Sequence, residues 1–147
     1  PVTWEKCSLR QWLNSEFVFS AFGGSLPRRG IAYRNMNPDN PKHSTNGGAV
    51  TYDMVFVLSI DEATKYFHDN ADRMAGVSEY AKKHGAWVSG EFVLPSGENA
   101  GLWCLRSPGY TSQAAARVLI NGDINSHGSS VSRDNVAVRP AMWISTK

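Results

Sequence analysis

Along residues 3–22 (TWEKCSLRQWLNSEFVFSAF) the apolar positions recur with helical spacing. Leu9, Trp12, Leu13 and Phe17 stand at i, i+3, i+4 and i+8, and Arg10, Gln11, Asn14 and Ser15 take the wet side. Ser8 is placed as an N-cap, and Gly23-Gly24 ends the helix. Residues 25–50 lose this rhythm and become rich in proline, asparagine and glycine, so they read as a long irregular loop with a short strand at Ile31-Ala32-Tyr33. A loop of this length inside a compact domain is often functional.

The run Asp53–Ser59 (DMVFVLS) is apolar without alternation, which predicts a strand covered on both faces. Ser59-Ile60-Asp61-Glu62 then gives an S-x-x-E capping box and a short helix to about Phe67, with Ala63, Tyr66 and Phe67 inward. The helix dipole accounts for the acidic first turn, Asp61 and Glu62. Ser78 starts another short helix that Gly85 ends, and short strands are expected at 86–88 and 91–93.

The most patterned stretch is Leu102–Ile144, bounded by Trp103 and Trp143. A strand over 102–107 is followed by one over 115–120, turned by Asn121-Gly122, a strong two-residue hairpin signal. Asp123–Asn125 returns, His127-Gly128 makes a second turn, 129–133 forms a further strand, and Ala137–Ser145 forms the last, with Pro140 at an edge or bulge. Period two puts Val118, Ile124 and Val131 on an inner face. Arg117, Leu119, Asp123, Asn125, Ser130 and Ser132 then share the outer one.

Composition narrows the function classes. A chain of 147 residues fits one domain, and 41% hydrophobic residues exclude global disorder. A net charge of +2, evenly spread, argues against nucleic acid as a partner. No apolar run approaches the ~20 residues of a membrane helix. Cys7 and Cys104 are too few for a disulfide framework or a cysteine-based zinc site, and are expected as buried free thiols.

No phosphate-binding glycine loop, H-E-x-x-H helix or G-x-S-x-G elbow occurs. His43, His68, His84 and His127 are scattered through polar turns and helix ends. Asp39 and Asn40 offer oxygen donors but lack the acidic spacing of a calcium loop. No cofactor and no catalytic residue is therefore expected.

Four pieces in order, TWEKCSLRQWLN at 3–14, DMVFVLSIDEATKYF at 53–67, LWCLRSPG at 102–109 and VRPAMWI at 138–144, resemble a bacterial domain family of unknown function related to the C-type-lectin-like and formylglycine-generating-enzyme fold. Two features depart from it: Trp103-Cys104 stands where the family has a double tryptophan, and the family carries one or two strands before the TWE motif. The resemblance implies one α+β domain over 1–147, with two or three short helices flanking small antiparallel sheets and a long irregular loop region.

Proteins of this fold class include the variable proteins of diversity-generating retroelements, and 110–133 is similar to a diversified asparagine-rich template. The implied frame is Ser112, Val118, Gly122, Ile124, Gly128 and Val131. The implied ligand-binding positions are Tyr110, Thr111, Gln113, Arg117, Leu119, Ile120, Asp123, Asn125, Ser126, His127, Ser130, Ser132 and Arg133. Gln113 is not reachable from an asparagine codon by adenine changes alone.

Independently of the resemblance, outward Tyr, Arg, His, Ser and Asn on supported strands have the composition of a binding surface. The bland alternative is ordinary solvent-facing hairpin residues. The expected function is a non-enzymatic domain that recognises a protein or other macromolecular target, with a cell-surface or secreted location favoured. The rival is a metal-dependent enzyme or calcium-dependent sugar-binding lectin on the same fold. The chain lacks the Glu-Pro-Asn and Trp-Asn-Asp motifs such lectins use, and Cys7 and Cys104 do not match a copper site.

Overall fold

The computed structural model describes residues 2–23 and 31–146. Gly24 and most of the first part of the long loop, including Arg28-Arg29, lie outside the described residues. The N-terminal helical pattern forms in joined pieces: α1 (Ser8–Trp12), a π-helical turn (Leu13–Phe17) and α2 (Val18–Ala21). The cap is Cys7 rather than Ser8, because the Cys7 sulfur accepts the Arg10 N–H at 3.4 Å. The wide turn rotates the apolar stripe. Leu13 and Val18 are buried, whereas Trp12, expected inside, is 41% exposed and leans on Phe17.

Asn14, within the π turn, explains the main departure from expectation. Its Nδ2 donates to Val55 O at 2.7 Å, and its Oδ1 accepts from Met54 N at 2.8 Å and Val55 N at 3.1 Å. The expected strand over 53–59 is therefore not a strand. Only β2 (Thr51–Asp53) is paired, antiparallel to β1 (Tyr33–Asn35). Val55, Phe56 and Val57 are buried as expected, but no ladder satisfies their main chain. Phe56 exchanges bonds with Ala141 at 2.9 and 2.8 Å, and Arg106 takes Val57 O through Nη1 at 2.9 Å and Leu58 O through its own N–H at 2.9 Å. The segment meets its polar requirement piecemeal.

Ser59 caps α3 (Ile60–Tyr66) with both halves of the capping box made. Ala63 is inward, but Tyr66 is exposed. A short α4 (Asn70–Arg73), not anticipated, precedes α5 (Glu79–Lys83), which Ser78 caps as expected. The two strands expected at 86–93 are one, β3 (Val88–Val93), paired with β4 (Asn99–Gly101).

The C-terminal half forms an antiparallel sheet in the order β5 (Trp103–Pro108), β6 (Ala114–Val118), β7 (Ile124–Ser130). On one face Trp103, Leu105, Ala116 and Val118 pack with Ile60 and Ala63 of α3. On the other, Cys104 joins a second core built from Trp4, Leu13, Val18 and Val55–Val57. The helices thus sandwich the sheet, and the class is α+β, with short helices around small antiparallel sheets.

Three expectations about this half are corrected. Asn121-Gly122 is not a two-residue turn, since only Gly122 has positive φ (82°). Gly122 N–H donates to Leu119 O at 2.9 Å and Leu119 N–H to Asp123 O at 2.8 Å, which makes a three-residue loop with glycine in the left-handed position. His127-Gly128 lies inside β7 as a bulge, because Ala115 pairs with Ser129 while Arg117 pairs with Asn125. The extra residues break the alternation beyond Asn125: Val118 is buried and its partner Ile124 half-buried, whereas Val131, past the bulge, is 45% exposed. Residues 137–145 form no strand; within them Ala137 bridges to Trp103 and Ala141 to Phe56.

Candidate functional site

The β5–β6 connection and the bulged part of β7 meet at one end of the sheet. Tyr110 lies flat on His127, ring centroids 3.9 Å apart and planes 4° from parallel. His43, from the long loop, meets His127 edge-on at 5.5 Å. The backbone holds the pair: Tyr110 N–H donates to His127 O at 2.9 Å. Tyr110 is 48% exposed, and Thr111 and Gln113 beside it face solvent. Thr111 Oγ1 accepts the Gln113 N–H at 3.3 Å, which tightens this connection.

The remaining sequence-derived positions separate into other places. Leu119, Ile120 and Asp123 sit in the opposite turn, with Leu119 and Ile120 half-buried. β6, five residues at about 3.4 Å each, puts roughly 14 Å between the two ends. Asp123 accepts from Asn70 Nδ2 and from Asn121 Nδ2, the latter at 2.7 Å. Asn125 is half-buried, and its Oδ1 accepts the Gly128 N–H at 2.9 Å.

Ser126 is a correction. Only 8% exposed, it does not belong to an outward surface, and its carbonyl accepts from Asn40 Nδ2 at 2.8 Å. The hydroxyls of Ser130 and Ser132 bond each other at 2.8 Å on the surface. Arg133 is exposed and Arg117 half-buried; both line a cleft facing the N-terminal segment.

Candidate metal donors are already employed. Asn40 is buried, its Oδ1 accepting from Lys42 N at 2.9 Å and His43 N at 3.1 Å, so it is a loop organiser. Asp39 Oδ1 accepts the Gly47 N–H at 2.9 Å. His68, Asp69 and Asp72 cluster at the surface, but Asp69 caps α4 and Asp72 Oδ2 accepts the His68 N–H at 3.2 Å. Cys7 and Cys104 are both free, and burial raises both thiols, Cys104 to about 12, so they stand as neutral thiols at neutral pH.

A family model described as "Domain of unknown function (DUF6273)" matches residues 1–146. The chain belongs to the DUF6273 family. No curated protein and no solved structure matches it.

In this DUF6273 domain, the sequence shows His43 only as one of four scattered histidines and does not disclose its contact with His127. Nothing local marks it; its partner ring is more than eighty positions away, and the buried Asn40 three residues earlier sets its place. The wall that the N-terminal segment gives to the Arg117 cleft was missed for the same reason.

Proposed function

We propose that this DUF6273 domain is a non-enzymatic target-recognition module of C-type-lectin-like architecture. Its outward positions on the β6–β7 hairpin and the 110–113 connection contact a protein or another macromolecule. We propose further that these positions are diversified, as in the variable proteins of diversity-generating retroelements. The observation that carries this reading is the Tyr110–His127–His43 ring cluster at the end of the sheet, flanked by exposed Thr111 and Gln113. Rings already stacked lose little rotamer freedom on binding, so they serve as anchors, while short polar neighbours adapt. Ser126 is left out of the contact set because it points inward.

Sequencing the same locus in sibling isolates tests the proposal. Differences should cluster at Tyr110, Thr111, Gln113, Arg117, Leu119, Ile120, Asp123, Asn125, His127, Ser130, Ser132 and Arg133, and should spare Trp103, Val118, Gly122 and Gly128. An even scatter along the chain defeats the diversification reading.

A further inference from the structure

We infer that the cleft between the N-terminal segment and the outer face of β6 binds a small amphiphile with an anionic head and an apolar body. This is separate from the ring cluster and does not rest on the recognition role proposed above. The cleft has a volume of about 510 Å³, inside the range of about 300–1,000 Å³ usual for small-molecule sites. Val2 fixes the N-terminal wall by donating its N–H to Ser112 O at 2.7 Å. Much of the lining is apolar, with Val2, Leu9, Ala115, Val131, Val136 and Val138 among it.

The charge is one-sided. Lys6, Arg106, Arg117 and Arg133 line the cleft, and no aspartate or glutamate does. Arg106 is neutralised by Glu62, and Lys6 lies 3.6 Å from Glu5. Arg117 and Arg133 have no carboxylate partner among the described residues. Arg117 Nε is buried and makes no hydrogen bond. Burial, and then the positive charge of Arg133, both work against the charged form of Arg117 and lower its pKa.

A buried guanidinium donor without an acceptor is costly. A carboxylate or phosphate monoester placed between the two forks relieves both the orphan donor and the repulsion, in the bidentate geometry arginine favours. The apolar lining receives the body of the same molecule.

Calorimetry on the full chain with decanoate, decyl phosphate, decanol and inorganic phosphate tests this. Both amphiphilic anions should bind, and the tighter of the two identifies the head group. Decanol and inorganic phosphate should each bind at least about tenfold more weakly. Arg117→Gln and Arg133→Gln should each weaken decanoate about tenfold or more, and Val131→Trp, which narrows the cleft from an exposed position, should weaken it too. Tyr110→Ala should leave it unchanged. Equal binding of decanol and decanoate overturns the inference. So does retention of affinity in the double arginine variant, or no binding by folded protein up to about 1 mM. A dimer that decanoate fails to dissociate also overturns it, since a second copy would then cover the cleft.

Discussion

Asp53 accepts hydrogen bonds from Trp4 Nε1 at 3.0 Å, Asn35 Nδ2 at 2.8 Å, Thr51 Oγ1 at 2.7 Å and Arg10 Nε at 2.6 Å. It is buried, so desolvation acts to raise its pKa; the four donors outweigh that and hold it below the ordinary carboxylate value. A depressed folded-state pKa stabilises the fold above the unfolded value of about 3.9 and loses that contribution as pH falls through the folded value. Asp53→Asn should therefore cost about 2–4 kcal/mol at pH 7, somewhat less than a fully buried pair because Arg10 remains a quarter exposed and can rehydrate. The gap between variant and parent should close below about pH 4. Urea unfolding at a series of pH values measures both, and a gap independent of pH would contradict the assignment.

At the scale of elements, the bulge in β7 decides which side chains reach solvent. Gly128 has φ of 71°, and a Cβ there would lie 2.0 Å from the Ala115 carbonyl oxygen, a main-chain atom that cannot swing away. Gly97 has similar φ (87°) but open space around it. Gly97→Ala should cost about 1–2 kcal/mol from backbone strain alone. Gly128→Ala should cost about 2–4 kcal/mol because the strands must also part. Comparing the two by thermal or urea unfolding isolates the contact.

This pair also shows what the sequence can and cannot disclose. A glycine of positive φ suits a turn and a bulge equally, so His127-Gly128 read as a turn until its cross-strand partner was known. The caps at Ser59 and Ser78 were legible because both partners lie within three residues. The 54–59 run misled because its apolar burial is real while its hydrogen bonds end on Asn14, Arg106 and Ala141, all far away in sequence. The outward polar positions at 110–113 were legible from composition, whereas the inward turn of Ser126 depends on Asn40.

Across the whole molecule, Arg106 joins pieces that no single element connects. From β5 it donates through Nε to Asn37 Oδ1 at 3.1 Å and through Nη2 to Met36 O at 3.1 Å; it also reaches Val57 O and pairs with Glu62 of α3. Leu58 packs against both core clusters beside it. Arg106→Met should destabilise by about 3–5 kcal/mol, since it strands Glu62 and several acceptors together. Unfolding followed by tryptophan fluorescence and by circular dichroism should stay a single coincident transition. Separate transitions would mean that the two cores melt independently.

The attachment of residues 108–133 carries an evolutionary consequence. Outside the β5–β6 ladder, and among the described residues, the hydrogen bonds reaching it from elsewhere end on main-chain oxygens: Asn40 on Pro108 and Ser126, Arg73 on Gly122, and Val2 on Ser112. The Asn70–Asp123 bond is the exception. A carbonyl oxygen is present whatever amino acid bears it. Side chains at the outward positions other than Asp123 can therefore be substituted without cutting these main-chain attachments.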